Sequence, residues 1–382
     1  MTDQDEYVLS NARLVLENEV VDGWLAVSNG VISDMGHGHF AGAAIDLHGD
    51  YVLPGLVELH TDHLEAHAMP RPKVHWDTRA AVLGYDAQII ASGITTVFDS
   101  LRAGELTNSD SVSRVLHQLA EAISSLGAHG MLRAHHMTHL RCEVATANVV
   151  EDVKAFTSLL PINLISLMDH TPGQRQFRDM DKMRTYYQRH GLHSESDFNQ
   201  FVKERLVLHD LYASKNRRAL VELAHQHGVA LASHDDATVE QVNEAIEDKV
   251  SIAEFPTTLE AARASHSASI KVMMGAPNLV RGGSHSGNIA AEDLARDGTL
   301  DIFSSDYVPS SLLMAAFDLP NRVPEISLSK AVAMVSVNPA RAAGLTDRGN
   351  LATGQRADLV RVALHDKTPI VRRVWRGGSH VF

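Results

Sequence analysis

The sequence predicts an α/β fold: a closed (β/α)8 barrel of the TIM type carrying a small β-sandwich domain formed by both termini. Three observations predict it. Apolar, strand-like runs alternate with helix-periodic segments through the middle of the 382 residues. Such alternation implies a parallel sheet, and eight units in roughly 300 residues suit a closed barrel. Both chain ends read instead as short β segments broken by Asn-Gly and Gly turns. Most of the apolar runs, finally, end in His, Asp or Glu, and a barrel of this kind keeps its site at the C-terminal ends of its strands. An open doubly wound sheet is the fallback, but no G-x-G-x-x-G follows the first strand.

The elements follow in order. YVLSNARLVL and WLAVSNGVISDMG open the chain, and GNLATGQRADLVRVAL and IVRRVWRGGSHVF close it. Residues 1–51 and 346–382 are therefore expected to form the small domain, and 52–345 the barrel. VLPGLVELHTD reads as one strand. AAVLGYDAQIIASG places Val82, Leu83, Ala87 and Ile90 at helical spacing and stops at Gly93. ITTVFDS is a strand, SVSRVLHQLAEAISSLG a helix, and MLRAHHMTHLRCEV extended. INLISLMDH, VALASH, SIAEF, SIKVMMG and TLDIFSSD are further strands, and the longest helix runs from Ser196 to His227.

A formal charge of −13 argues against general nucleic-acid binding. It leaves room for an anionic small molecule, because a local Arg and Lys cluster can dominate one pocket. No run of 18 apolar residues suggests a membrane span, and the acidic start MTDQDEY lacks a signal-peptide pattern. The single cysteine, Cys142, permits no intramolecular disulfide. The expectation is a cytoplasmic protein with a small-molecule partner and neither nucleic acid nor membrane; a homo-oligomer is left open.

The strand ends carry HTDH (60–63), HLRCE (139–143), DH (169–170), SHDD (233–236), Glu254 and SSD (304–306). Period-two alternation puts His60 and Asp62 on one face, and His139, Arg141 and Glu143 on another. A lone His at a strand end is more often a satisfied polar residue than a ligand. Six such ends together argue for metal. Imidazole plus carboxylate suits Zn, Mn, Fe or Ni without thiolate. The expected ligands are His60, Asp62, Glu143, His170 and His234, around one or two divalent ions, zinc first. Glu143 could bridge two ions, and Asp306 is the expected base for a water. His63 and His67 stand at i, i+4, like the histidines of H-E-x-x-H. But Leu64 replaces the acid and Pro70 and Pro72 cut the segment, so either a ligand or an outer role is open. Arg141, Arg175, Lys271, Arg281, Ser284 and His285 are the expected phosphate contacts. The last four lie in or beside NLVRGGSHSGN, whose backbone N–H groups suit an anion. The plain alternative is a turn with no chemical role. His135, His136 and Cys142 read as structural.

PGLVELHTDH, the late Asp306, and the closing G-x-L-x-x-G-x-x-A-D-L-V at Gly349 to Val360 resemble the amidohydrolase superfamily. The resemblance spans nearly the whole chain. HTDHLE, HLRCE, SLMDHTPGQRQF, SHDDAT, EFPTT and SSDYVP narrow it to the diphosphatase branch of the carbon–phosphorus lyase pathway. That branch implies hydrolysis of α-D-ribose 1-methylphosphonate 5-triphosphate to the 5-phosphate and pyrophosphate. The superfamily pattern has His-x-His in its first motif, where this chain has His60-Thr61-Asp62. It also often has a carboxylated lysine, for which Glu143 is the natural substitute, and the missing second imidazole could come from His63. A cyclic amidase, deacetylase or deaminase on the same scaffold is the rival, because fold does not fix function.

Overall fold

The computed structural model describes residues 6–71, 74–104, 111–175, 183–184, 194–284 and 287–382. Among them no helix is long and apolar enough to cross a membrane.

The chain enters through β1 (Glu6–Val15), β2 (Val20–Ser28), β3 (Val31–His37), β4 (Ile45–Asp46) and β5 (Tyr51–Pro54). The barrel strands follow: β6 (Leu56–Thr61), β7 (Ile94–Ala103), β8 (His135–Glu143), β9 (Leu164–Met168), β10 (Ala230–His234), β11 (Ile252–Glu254), β12 (Lys271–Gly275) and β13 (Ile302–Ser304). β14 (Leu359–His365), β15 (Thr368–Arg376) and β16 (Ser379–His380) end the chain. Both termini thus build one small mixed sheet, ordered β16-β15-β14-β5-β1-β2-β3 with β4 beside β1. It curls on itself: Ile32 N–H donates to Gln355 O at 2.9 Å, just before β14. Leu9, Leu14, Leu25, Ile32 and Trp375 fill the curl.

VLPGLVELHTD is not one strand. β5 pairs with β14 in the small sheet, and β6 starts the barrel after Gly55. The domain border therefore falls at Gly55, a few residues beyond the expected position 51. Gly55 N–H donates to Asp358 O at 2.7 Å. A Cβ at this position would lie 2.1 Å from Thr95 Oγ1 and 2.9 Å from Asp358 Cβ, so only glycine passes between them.

The barrel strands are parallel and neighbours in chain order. Val57, Leu59, Phe98, Leu164, Ala232, Ile252, Met273 and Ile302 fill the interior. Val97, Leu101, Leu140, Cys142, Ile165 and Phe303 pack outward with the helices. Both faces are buried, which explains why these strands read as continuous apolar runs. One local irregularity matters. β6 pairs Glu58 with Val97 and then Thr61 with Asp99, so β6 holds one extra residue. A bulge of this kind re-aims a side chain. The inward positions switch from Val57 and Leu59 to His60 and Asp62. The seam between first and last strands is closed by Asp306, whose N–H donates to His60 O at 3.1 Å and whose O accepts from Asp62 N–H at 3.0 Å.

Behind β7 and β8 sits a buried polar cluster. His136 Nδ1 lies 2.9 Å from Asp99, and its Nε2 lies 3.2 Å from Asp86 of α2 (Thr78–Ala91); α1 (His63–Ala68) directly follows β6. Burial alone would lower the His136 pKa, but the two carboxylates outweigh it and raise it to about 9.

Two outcomes follow. Gly55→Ala should lower the thermal midpoint, overpacking of this kind costing about 1–3 kcal/mol; an unchanged midpoint would show that the junction accepts a Cβ. The His136 contribution to stability is fully present below its unfolded pKa of about 6.5 and is lost as pH rises through about 9. Denaturant midpoints should therefore fall across that window, and His136→Gln should flatten the fall.

Candidate active site at the barrel mouth

The apolar interior ends in a ring of polar side chains. β6 delivers His60 through the bulge. β8 delivers His139, Arg141 and Glu143 by plain alternation, β10 delivers His234, and β11 delivers Glu254. The chain then turns away sharply. Asp235, Phe255 and Asp306, directly after β10, after β11 and near the end of β13, adopt left-handed φ values of 58°, 54° and 54°. Such backbone strain persists only where surroundings hold it, and it clusters at functional sites. Here it lets the strand-end side chains point inward while the backbone leaves.

Two groups of metal-type donors result. His60, His139 and Glu254 form one, and His170, His234 and Asp235 the other, with the donor atoms of each group within 4.8 Å of one another. The His60 and His234 rings connect them, 5.7 Å apart. In the first, His60 Nδ1 is 3.2 Å and His139 Nε2 is 3.7 Å from Glu254 Oε1, and Ser166 Oγ–H donates to the other carboxylate oxygen.

Tautomers follow from the partners. His139 Nδ1 lies 2.8 Å from Leu59 O, which can only accept, so Nδ1 carries the proton. His139 Nε2 is buried and has no hydrogen-bond partner. His234 Nδ1 faces Asp235 Oδ2 at 2.9 Å, and its Nε2 is likewise buried and unpartnered. His170 Nδ1 donates to Glu143 Oε2 at 2.6 Å. A metal-binding imidazole has this form: one nitrogen held by an acceptor, the other left as a lone pair. Burial, with His60 and Arg141 nearby, drives the His139 pKa down to about 3 despite Glu254, which keeps the ring neutral. Burial opposes charge on Glu254, but His60, His139 and His234 overcome it and hold its pKa well below the usual carboxylate range. The buried orphan nitrogens and the ionised carboxylate fit a divalent cation.

The expected residues find mixed places. His60, His170 and His234 enter the two groups. Asp62 is half-buried beside them but forms an ion pair with Arg141. Burial raises the Asp62 pKa, while Arg141, then His60 and Arg102, pull it down to about 2. Glu143 does not sit between the groups as a bridge. It accepts both from His170 Nδ1 and from His170 N–H at 3.1 Å, so it holds that ring from behind. Asp306 caps the seam, its carboxylate over Gly275, where a Cβ would approach Oδ2 to 3.4 Å. His63 and His67 leave the ring: α1 begins at once after Asp62, and both Nε2 atoms face Gln88, at 2.8 and 3.1 Å.

The phosphate contacts need more correction. Arg175 is buried and ion-paired with Asp236 and with Glu244 at 3.2 Å, and it donates to His234 O at 3.1 Å. It supports the β10 turn instead of facing an open groove. Lys271 opens β12 and so lies at the opposite end of the barrel, bonded to Asp301 at 3.0 Å. Arg281 is exposed in the last turn of the helix Ala276–Arg281. Ser284 Oγ accepts from Asn288 N–H at 3.2 Å, and His285 lies outside the described residues.

The expected ligand set left out His139 and Glu254, which the structure groups with His60. Both were visible as strand-end residues, and alternation back from Glu143 already put His139 inward. No sequence rule ranks one strand-end acid above another.

Fold and site define a class. The family model for the amidohydrolase family matches residues 51–381, and the chain belongs to that family. The chain is 44% identical, over 98% of its length and 100% of the relative's, to the alpha-D-ribose 1-methylphosphonate 5-triphosphate diphosphatase of Escherichia coli. Solved structures of the same fold include N-isopropylammelide isopropylaminohydrolase from Burkholderia multivorans, at TM-score 0.65, 15% identity and coverage of 99% of this chain and 98% of that one. N-acetyl-D-glucosamine-6-phosphate deacetylase from Mycobacterium smegmatis is another, at TM-score 0.61, 17% identity and coverage of 98% and 100%.

His139→Ala should weaken divalent-metal binding at least about tenfold, more than the loss of an outer partner. Competition against a chelator reads it, and undiminished affinity would remove His139 from the ligand set.

Proposed function

We propose that this chain is a divalent-metal-dependent diphosphatase of phosphonate breakdown. It hydrolyses α-D-ribose 1-methylphosphonate 5-triphosphate to the 5-phosphate and pyrophosphate. The observation that carries the reading is the end-to-end 44% identity with a relative of that printed activity. The donor set at the barrel mouth supports the metal dependence.

In this reading His60, His139 and Glu254 would hold one ion, and His170 and His234 a second, with Asp235 and Glu143 orienting the imidazoles. Asp62, expected as a ligand, instead keeps Arg141 in place. Zinc is favoured, since imidazole and carboxylate without thiolate suit it. A divalent ion supplies Lewis acidity and an easily ionised water near neutral pH. Asp306 takes the proton of the attacking water. The water oxygen bonds to the α-phosphorus, the α–β anhydride bond breaks, and pyrophosphate departs with the bond's electron pair. Arg141, beside Asp62, would meet phosphate charge with a planar fork. The single cysteine fits a cytoplasmic setting.

Phosphorus NMR on the metal-loaded protein should show pyrophosphate appearing while the methylphosphonate signal survives, with ATP as a control substrate. No change with metal bound would sink the reading. Chelation should abolish turnover and zinc should restore it. Asp306→Asn should lower kcat by about 10²- to 10⁴-fold with metal retained, the usual range for a lost proton-transfer group; undiminished kcat would remove Asp306 as the base.

A further inference from the structure

β7 and β8 run in register, and that register sets Arg102 directly beside Arg141. On β7, Phe98 lies in the inner core, and Ser100 Oγ lies 3.2 Å from His139 Nδ1. Alternation then carries Arg102 to the same inner face. The two arginines stand side by side at the rim, their backbones roughly 4.8 Å apart.

Their partners differ. Arg141 is engaged by Asp62. Arg102 has no hydrogen bond or ion pair among the described residues, and its Nε is buried without a partner, as is the Nε of Arg141. A guanidinium is a permanent cation with five N–H donors and no acceptor. Leaving such donors buried and unsatisfied is costly, so a lone buried one marks a missing partner. Arg102 also edges a largely apolar cleft of about 250 Å³, walled by Ala68, Met69, Leu101, Leu116 and Leu119, with Glu65 and His75 at its border.

We propose that Arg102, with Arg141 beside it, receives the pyrophosphoryl end of the triphosphate and holds it as the leaving group. This rests on the reading of the site as a polyphosphate hydrolase. With the α-phosphorus at the imidazole ring, the β- and γ-phosphates extend along the rim toward β7. Asp62 already engages Arg141, so an incoming anion must compete with that carboxylate. That favours a diphosphate, with its paired oxygens and higher charge, over a single phosphate. Arg102 is thus a specificity residue that touches the outgoing group and not the attacking water.

The test is direct binding, read by calorimetry on the metal-loaded protein, with pyrophosphate, inorganic phosphate and methylphosphonate as probes. Arg102→Gln should weaken pyrophosphate binding by about 10- to 100-fold, the worth of charge-assisted hydrogen bonds. The other two probes should be unmoved. Arg102→Lys should fall between, because an ammonium lacks the fork. Thermal midpoints of both variants should match the parent, and KM for the triphosphate should rise more than kcat falls. Parent-like pyrophosphate binding in either variant, a loss confined to methylphosphonate, or no pyrophosphate binding by the parent overturns the proposal. If the parent turns over the triphosphate and Arg102→Gln changes nothing, only this inference fails. If pyrophosphate binding depends on Arg102 but the triphosphate is inert, the functional reading fails and the anion site stands.

Discussion

One buried charge organises the barrel mouth. Glu254 is 1% exposed and sits where an ionised carboxylate survives only with partners on every side. Ser166 of β9, His60 of β6 and His139 of β8 supply them. One anion on β11 therefore sets side chains from three other strands. It also explains why two buried imidazoles can approach each other, ring centroids 5.2 Å apart. Without that carboxylate the two rings would have nothing between them to hold their nitrogens in convergence.

The backbone solves a second problem, that of aiming. A strand points alternate residues in opposite directions, and β6 uses its inward positions first for the apolar core, at Val57 and Leu59. The extra residue before Thr61 resets the parity, so the same strand can close the core and then open the site. The cost shows nearby: Glu58, fully buried on the other side, accepts from His60 N–H at 2.6 Å and Ser305 N–H at 2.5 Å. Burial still drives its pKa up to about 8. The left-handed turns at Asp235, Phe255 and Asp306 do the corresponding work on the far strands.

The scaffold alone admits several hydrolytic chemistries, and its site residues narrow them by charge and placement. Imidazole and carboxylate donors gather at the centre, and arginines stand at the β7–β8 edge. A metal centre beside a cationic wall suits a substrate that carries its charge on one side of the bond to be broken. Arg175, by contrast, is taken up by Asp236 and Glu244 and serves the β10 turn, so a positive residue next to a motif need not face the substrate.

Much was legible in the sequence because it follows from local periodicity. The eight barrel strands, the long helix expected from about Ser196 and found at Glu195–His227, the β-rich ends and the inward face of β8 all come from short-range pattern. The crowding of His and acids at strand ends located the site, because a parallel barrel sends all those ends to one rim. What the sequence could not settle is every choice made across space. The break at Gly55 depends on Thr95 and Asp358, distant in the chain. Lys271 was drawn to the site by a nearby glycine-rich loop, yet it begins its strand and so lies at the other end of the barrel. Glu143 and Glu254 look alike in sequence, yet in the structure one backs His170 and the other joins His60 and His139 in a donor group. Residue types and their periodicity are properties of the chain, whereas register, bulge and ion-pair partner are fixed only when strands from far-apart segments meet, and those three decide which groups can touch a ligand.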